Sequence, residues 1–226
     1  MIKVITFDAG NTLIRLRQPV GETYAAVAKR FGAELNPAAL ENGFRSAWKT
    51  VPRLPDVPGP RPDDGKSWWH HVVLKTFENA GAKLDPFEDF FDAVYQEFSL
   101  PDIWRLEPGA LDLLQDLRRA GFRLGIISNF DLRLYEILRH LGVSSLFEQT
   151  IVSSQVGADK PSPRIFEEAL QRFQVGPAEL LHVGDDKVAD GDGAQAVGMQ
   201  TFILGFAGSG LNGLRERLGL TAKPRQ

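Results

Sequence analysis

The chain begins with a short apolar run that ends in an acid. Residues 2–8, IKVITFD, are nearly all apolar or β-branched, which is the pattern of a strand buried on both faces of a parallel sheet. Small and polar residues follow at once in the stretch AGNT, residues 9–12. We therefore predict a buried first strand with Asp8 at its carboxyl end, followed by a tight turn.

A block with helical periodicity extends from Pro19 to about Leu100. Its apolar residues recur three and four positions apart, as on the buried face of an amphipathic helix. The stretch PRLPDVPGPRPDDG, residues 52–65, is dense in Pro, Gly and Asp and predicts a loop. Helices are predicted for the remaining segments: GETYAAVAKRFGAEL, PAALENGFRSAWKTV, KSWWHHVVLKTFENAG and PFEDFFDAVYQEFSL.

Strand patterns alternate with helix patterns in the rest of the chain. Strands are predicted at FRLGIISN, FEQTIVSS, ELLHVGDD and MQTFILG, and helices at PGALDLLQDLRRAG, DLRLYEILRHLGV, SPRIFEEALQRF and ADGDGAQAVG. Repeated strand–helix units predict an α/β fold, a Rossmann-like parallel sheet with helices on both faces. Because one strand precedes the helical block, we predict a core of residues 1–16 and 102–226 with an inserted all-helical domain, residues 17–101.

Composition narrows the range of partners. The chain has 226 residues, 43% of them hydrophobic, enough for a sizeable core. Its net charge of −3 argues against a nucleic-acid partner held by a basic surface, and the absence of cysteine excludes disulfides and zinc–thiolate sites. No apolar run approaches the roughly 20 residues of a membrane helix, and no signal-peptide pattern precedes the first strand. We expect a cytoplasmic protein without nucleic-acid or membrane partners; its oligomeric state stays open.

Polar side chains lie at the ends of the predicted strands. In an open parallel sheet, ligands bind beyond the carboxyl ends of the strands, so these side chains are expected to meet there. Each of them could instead have a local role, such as a helix cap or a solvated surface charge. The residues are Asp8 and Thr12 after the first strand, Ser128 and Asn129 after the second, Lys160 beyond the third, and Asp185, Asp186 and Asp190 after the fourth.

Together these groups favour a site for an anion and a hard cation. Carboxylates with few other donors suit Mg²⁺, which usually keeps several of its waters. Lys160 and Ser128 are suited to hold phosphate oxygens, and backbone N–H groups of the small residues after Asp8 can approach them. Asp8 could then attack phosphorus and form an aspartyl phosphate. The expected partner is a small phosphorylated molecule.

The stretches DAGNT, IISN, KPSP and GDDKVAD resemble, in this order, the four motifs of the haloacid dehalogenase superfamily. The resemblance extends over essentially the whole chain and implies a helical cap of the C1 type after the first strand. It also implies a role for each site residue. These are Asp8 and Lys160 for catalysis; Ser128, Asn129 and Lys160 for phosphate binding; Asp8, the Gly10 carbonyl and Asp185 for Mg²⁺; and Thr12, Asp186 and Asp190 as supporting groups.

One group within the superfamily resembles this chain in further segments. These segments are LIRLRQPVGETYA, WWHHVVLKTF, ISNFDLRL and KPSPRIF. The resemblance implies no particular substrate, because specificity in this architecture resides in the cap. The roles of Arg15, Arg17 and the stretch Trp68–His71 are not determined by the sequence.

The first motif departs from the superfamily pattern. The usual DxDGT has a second acid two residues after the nucleophile, where this chain has Gly10. In the phosphatases of the superfamily that acid protonates the leaving alkoxide and then activates water, which is worth about 10²–10⁴-fold in rate. Gly10 keeps a carbonyl for the metal but has no proton to transfer. Asp131 and Asp186 are nearby acids that could substitute. The third motif has Ser162 in place of a frequent acid, a change expected to have little effect.

Three functions are compatible with this sequence. The favoured one is a magnesium-dependent phosphomonoester hydrolase that forms an aspartyl phosphate on Asp8 and has weakened acid catalysis. The second is a metal-independent 2-haloacid dehalogenase; such enzymes also lack the second acid, but they lack the acid that is Asp185 here as well. The third is a weakly active or non-catalytic phosphate-binding or regulatory protein.

Overall fold

A computed structural model describes residues 1–205 and 210–220 of the chain. Its internal contacts divide the chain into two units. The sheet unit comprises Met1–Arg15, Asp56–Pro60 and Leu106–Gln226, and the helical unit comprises Leu16–Pro55 and Arg61–Arg105. The helical unit is thus inserted after the first strand, and five residues of the predicted loop 52–65 belong to the sheet unit.

The sheet unit is built on a five-stranded parallel sheet. Its strands are β1 Val4–Phe7, β4 Arg123–Ser128, β5 Gln149–Val152, β6 Leu180–Gly184 and β7 Gln200–Ile203; the short strands β2 Ile14–Leu16 and β3 Trp104–Leu106 pair with each other. The order in the large sheet is β5-β4-β1-β6-β7, and every pair is parallel. The predicted Rossmann-like sheet is therefore confirmed, with the first strand at its centre.

Helices flank the sheet and make up the helical unit. In the helical unit they are α1 Val20–Arg30, α2 Pro37–Thr50, α3 Lys66–Ala80 and α4 Phe87–Glu97. In the sheet unit they are α5 Ala110–Arg119, α6 Arg133–His140, α7 Ser153–Val156, α8 Pro163–Phe173, α9 Gly193–Ala196 and α10 Leu211–Arg217, with a π-helical turn at Lys187–Asp192 just before α9. No helix among the described residues is both long and apolar enough to cross a membrane.

The central strand is buried along its whole length. All four residues of β1 are 0% exposed, as expected for a strand with neighbours on both edges and helices on both faces. The core beside it joins apolar residues of the strands with the inward face of α8. The cluster includes Val4, Ile127, Ile151, Ile165, Phe166, Phe173 and Leu180. This packing fixes the carboxyl ends of β1, β4 and β6 relative to one another.

The helical unit has its own, largely aromatic core. Tyr24 of α1 meets Phe98 edge-on with ring centroids 5.9 Å apart, and Phe77 of α3 lies 4.9 Å from Phe90 of α4. Such ring pairs add to the free energy gained by burying apolar area. Helices α2 and α3 come close together at Gly43, where a side chain could not fit without movement because its Cβ atom would lie 2.4 Å from the carbonyl oxygen of Thr76.

Several short elements were not predicted from the sequence. Strands β2 and β3 have three residues each and α7 has four, too few for a periodic pattern to emerge. Residues 189–192, predicted as the start of a short helix, belong instead to the π-helical turn Lys187–Asp192. Strands β2 and β3 depend on pairing with each other across a long sequence separation, which neighbouring residues do not reveal, whereas the π-helical turn is capped by the adjacent Asp186.

Replacing Gly43 by alanine tests the close contact between α2 and α3. Alanine normally stabilises a helix by about 0.5–1 kcal/mol relative to glycine. Here the new methyl group meets a backbone oxygen, so we expect the free energy of unfolding to fall by about 1–3 kcal/mol and the melting temperature by about 3–10 °C. Ser46→Ala, on the exposed face of the same helix, is the control and should change little. A stabilised Gly43→Ala variant would contradict the contact.

Candidate active site

Three adjacent strands bring the predicted polar residues together. The register pairs Phe7 with Ile126 on one side and Val183 on the other. Asp8 therefore lies one residue short of the level of Ser128, which ends β4, and of Asp185, which follows β6. The backbone N–H of Asp8 donates to the carbonyl of Val183 at 2.8 Å, so the hydrogen bonding between β1 and β6 extends one residue beyond β1, to Asp8.

Lys160 connects two carboxylates at the centre of the site. Its Nζ donates to Asp8 Oδ1 at 2.7 Å and to Asp190 Oδ1 at 2.5 Å, and the residue is 6% exposed. Burial alone would lower the pKa of this ammonium, but attraction to Asp8 and Asp190 outweighs it and raises the pKa. A buried charge without partners is very costly, so the hydrogen bonds to these two carboxylates are what allow the Lys160 ammonium to be buried.

Asp190 is enclosed by donors. Its Oδ1 accepts from Lys160 and from Nε2 of His182 at 3.1 Å, and its Oδ2 accepts from the backbone N–H of Asp186 at 3.0 Å. Burial would raise the pKa of Asp190, yet the hydrogen bond from His182 and the charge of Lys160 lower it well below its usual range. A Cβ atom on Gly184 would lie 2.1 Å from the Asp190 carboxyl carbon, so a glycine is needed there.

The surroundings of Asp185 disfavour its charged form, in contrast to those of Asp190. Partial burial of its carboxyl group, together with the negative charges of Asp8 and Asp190, raises the pKa of Asp185 to about 6. Oxygens of these three carboxylates lie within 4.8 Å of one another, and the Thr12 hydroxyl donates to Asp185 at 3.2 Å. Negatively charged oxygens this close together repel one another, and they are the kind of ligand that a hard divalent cation such as Mg²⁺ prefers. Because both Asp190 oxygens already accept hydrogen bonds, Asp8 and Asp185 would be the better ligands for such an ion.

The turn after Asp8 has room for a side chain at the position where the acid is missing. Gly10 lies in a tight turn whose Asn11 N–H donates to the Ile14 carbonyl at 2.8 Å, and nothing lies within 4 Å of where its Cβ atom would be. Asn11 replaces the glycine of the superfamily pattern and has φ of 56°, a left-handed conformation that asparagine tolerates. The missing acid is therefore not excluded by the shape of the turn.

Two contacts fasten the loop that carries Lys160. The side chain of Asn129 donates to the Lys160 carbonyl at 3.0 Å and accepts from the Lys160 N–H at 2.6 Å. At the other end, the Ser162 hydroxyl donates to a carboxylate oxygen of Asp56 at 2.6 Å. An acid at position 162 would repel Asp56, so the serine suits this chain. Asn129, predicted to bind phosphate, uses both ends of its amide on the backbone of Lys160.

Residues whose roles the sequence left open have structural partners. Arg15 forms an ion pair with Glu107 at 3.0 Å, and Nε of Arg17 donates to the carbonyl of Trp104 at 3.1 Å. In the stretch Trp68–His71, the ring centroids of Trp68 and Trp69 lie 4.9 Å apart. Nδ1 of His71 lies 2.7 Å from the backbone carbonyl oxygen of Ser67, one turn earlier in the same helix. Each of these contacts joins residues of a single unit, so these side chains have structural roles there.

Two residues at the site escaped the sequence reasoning. His182 and Thr6 are both 0% exposed, and Thr6 Oγ1 lies 3.0 Å from Nδ1 of His182. Burial is the largest influence on His182 and lowers its pKa, so the imidazole is neutral at neutral pH. A histidine inside the apolar run LLHVG was the available signal, since an imidazole buried in a strand needs polar partners.

Comparison with known proteins decides the family. Residues 2–198 match the family model for haloacid dehalogenase-like hydrolases. The chain belongs to this family. The human protein named haloacid dehalogenase-like hydrolase domain-containing protein 3 is 40% identical to this hydrolase over 205 residues, which are 90% of this chain and 82% of that protein. The sequence resemblance to the superfamily, and to this group within it, is confirmed.

Solved structures with the same fold come from enzymes of two kinds. One is a phosphatase from Thermococcus onnurineus, with a TM-score of 0.65, 23% identity, and coverage of 96% of this chain and 98% of that one. Another is the L-2-haloacid dehalogenase from Xanthobacter autotrophicus, with a TM-score of 0.67, 22% identity, and coverage of 99% and 85%. At this identity they establish the fold of the hydrolase and not its reaction.

The two acids suggested as substitutes for the missing one are already hydrogen-bond acceptors. Asp131 is 2% exposed and is bound on both oxygens by the Arg133 guanidinium, at 2.8 and 2.6 Å. The carboxylate of Asp186 accepts from the N–H groups of Val188 and Ala189, at 2.8 and 2.9 Å, and caps the following turn. Both carboxylates therefore already bind donors of their own segments.

Asp185→Asn tests the charge balance of the hydrolase. Without metal, the variant should melt about 2–4 °C higher than the wild type at neutral pH, because a repelled charge is removed. The pKa of about 6 is raised by folding, so this penalty exists above pH 6 and fades as acid protonates Asp185. The gain should therefore shrink below about pH 6. Magnesium should raise the melting temperature of the wild type and have little effect on the variant.

The matched control is Asp192→Asn. This exposed acid pairs with Lys187 in the same segment and loses the same charge on substitution. We expect both its metal-free stability and its response to magnesium to follow the wild type, since exposed pairs contribute little. An equal magnesium response in the Asp185 and Asp192 variants would show that the carboxylate cluster is not the metal site.

Proposed function

We propose that this hydrolase is a magnesium-dependent phosphomonoester hydrolase with Asp8 as its nucleophile. The observation that carries the proposal is the pair of bonds from the buried Lys160 ammonium to Asp8 and Asp190. Lys160 fixes the orientation of the Asp8 carboxylate at the end of the central strand, and it provides a positive charge where phosphate oxygens would bind. Orientation and charge neutralisation supply most of the catalysis in phosphoryl transfer.

The reaction would proceed in two displacements at phosphorus. In the first, an Asp8 oxygen bonds to phosphorus, the ester P–O bond breaks, and the departing oxygen takes a proton from water. In the second, water attacks phosphorus and gives up a proton to solvent, the bond to Asp8 breaks, and inorganic phosphate leaves with the carboxylate restored. Lys160 and Ser128 hold the phosphate oxygens in both steps, and Asn129 holds the backbone that carries Lys160.

Asp8, the Gly10 carbonyl and Asp185 would hold the magnesium ion. Thr12 supports Asp185 through its hydroxyl, and Asp190 supports the site through Lys160. When bound, Mg²⁺ neutralises the negative charge on the transferring phosphoryl group. Its positive charge would also offset the burial and the repulsion that together raise the pKa of Asp185.

Gly10 sets the substrate preference that we propose. With no acid at this position, and with Asp131 and Asp186 engaged, the leaving oxygen receives no proton from these residues. Esters with acidic leaving groups, such as aryl or acyl phosphates, lose least from this. The proposed substrate is accordingly a small phosphorylated molecule with a good leaving group.

One observation favours a 2-haloacid dehalogenase as the second candidate. A halide leaves without a proton, so Gly10 would cost such a reaction nothing. The crowded carboxylates favour the phosphatase instead, because a nucleophile meant for carbon gains nothing from a neighbouring site for a cation.

An assay with para-nitrophenyl phosphate tests the reaction. We expect phosphate release that needs magnesium and falls by about 10³-fold or more in Asp8→Asn, because the nucleophile is lost. Asp112→Asn, an exposed substitution on α5, should keep the wild-type rate. Release of halide from a 2-haloacid without metal would support the dehalogenase, and tight phosphate binding with no turnover of any ester would indicate a binding protein.

Gly10→Asp tests the missing proton donor. Since nothing lies within 4 Å of the position of the new Cβ atom, the side chain fits the turn. We expect turnover of alkyl phosphates to rise by about 10–100-fold, and that of aryl phosphates to change much less, because only poor leaving groups need the proton. The measurement is kcat for the two ester classes with magnesium present.

Gly10→Asn is the matched control for this substitution. Asparagine has nearly the same shape as aspartate and cannot transfer the proton, so the alkyl-to-aryl ratio should stay at the wild-type value. Equal gains on both ester classes, or no gain, would refute the idea that proton supply limits turnover.

A further inference from the structure

A buried histidine lies behind the site, on the strand next to β1. His182 of β6 and Thr6 of β1 are register partners across the parallel ladder, and both are 0% exposed. The His182 ring also packs against Phe166, with ring centroids 5.4 Å apart. Neither His182 nor Thr6 belongs to the four stretches that carry the superfamily resemblance. A fully buried imidazole needs hydrogen-bond partners for both nitrogens, because burial of unpaired polar atoms is costly.

The direction of these hydrogen bonds follows from their chemistry. Nε2 of His182 lies 3.1 Å from Oδ1 of Asp190, and an ionised carboxylate can only accept. Nε2 must therefore carry the proton. In a neutral imidazole Nδ1 is then an acceptor, and it lies 3.0 Å from the Thr6 hydroxyl, which donates to it. Thr6 thus fixes the tautomer that His182 needs in order to donate to Asp190.

The chain of bonds continues to the nucleophile. Asp190 Oδ1 accepts from His182 and from Lys160, so its position is fixed from two sides. Lys160 donates onward to Asp8 Oδ1 at 2.7 Å. Without the donor on His182, the Asp190 carboxylate could rotate about its Oδ2 bond to the Asp186 N–H. The direction of the Lys160 ammonium, and with it that of Asp8, would then be less well defined.

We infer that His182 is a positioning residue, which holds Asp190 and through it aligns Lys160 with Asp8. His182 acts on Asp8 only through Asp190 and Lys160, so it is not a catalytic residue. Its effect on turnover rests on the proposed function, whereas its effect on Lys160 does not. Misplacement of reacting groups by about 1 Å can cost about 10²-fold in rate, so even a small rotation matters.

Substitution of His182 by leucine and by glutamine tests the inference. Leucine keeps most of the volume but has no donor, whereas the glutamine amide nitrogen can reach the place of Nε2. With para-nitrophenyl phosphate and magnesium, we expect kcat to fall by about 10–100-fold in His182→Leu. His182→Gln should recover most of the loss. Melting temperatures measured alongside separate this effect from unfolding, since a merely structural role would make kcat follow the folded fraction.

Nitrogen NMR supplies a readout independent of turnover. The protein has four histidines, and the signals of His182 are those that vanish in His182→Gln. We expect the proton on Nε2 with slow solvent exchange, and a slowly exchanging Lys160 ammonium signal that broadens in His182→Leu and returns in His182→Gln. This result would hold even if no phosphate ester were turned over, in which case the proposed function alone would fail.

Two results would overturn the inference. One is a proton on Nδ1, which would mean that His182 donates to Thr6 and not to Asp190. The other is a folded His182→Leu variant with an unchanged Lys160 signal and, if the wild type is active, an unchanged kcat.

Discussion

The buried ammonium of Lys160 is the interaction on which the site depends. Its charge is tolerated only because Asp8 and Asp190 both accept hydrogen bonds from it. Removing one partner of a buried ion pair typically costs about 3–5 kcal/mol, because the remaining charge is left without compensation. The three residues come from the end of β1, from the loop before α8 and from the turn after β6, so folding of the sheet unit and assembly of the site are coupled.

Charge balance connects this ion pair with the rest of the site. Three carboxylates face one ammonium. Partial burial, together with this excess of negative charge, raises the pKa of Asp185 to about 6, while Asp190 stays ionised. The difference arises because Asp190 accepts from three donors, whereas the hydroxyl of Thr12 is the side-chain donor to Asp185. A divalent cation beside Asp185 would complete the balance. In the proposed reaction, by contrast, neither Gly10, which has no side chain, nor Asp131, which is bound to Arg133, supplies a proton to the leaving group.

Much of this arrangement follows from the sequence. Asp8, Ser128, Lys160 and Asp185 were identifiable because each follows a strand pattern, and carboxyl ends of parallel strands share one edge of the sheet. The sheet itself was predictable from continuous apolar runs such as residues 2–7, since a central strand is buried on both faces. Strands β2 and β3 were not predictable, because three residues are too few to show the alternation of apolar and polar positions typical of a strand.

Tertiary structure alone decided which partner each polar group has. Asn129 holds the backbone of Lys160, Ser162 meets Asp56 from the predicted loop, and His182 reaches Asp190. Some of these pairs join residues far apart along the chain, and nothing in the neighbouring sequence of either member specifies the other. The sequence by itself determined the residue types at the strand ends and hence the chemistry available. Which oxygen accepts from which donor was decided by packing, because hydrogen bonds depend on distances that only the folded chain defines.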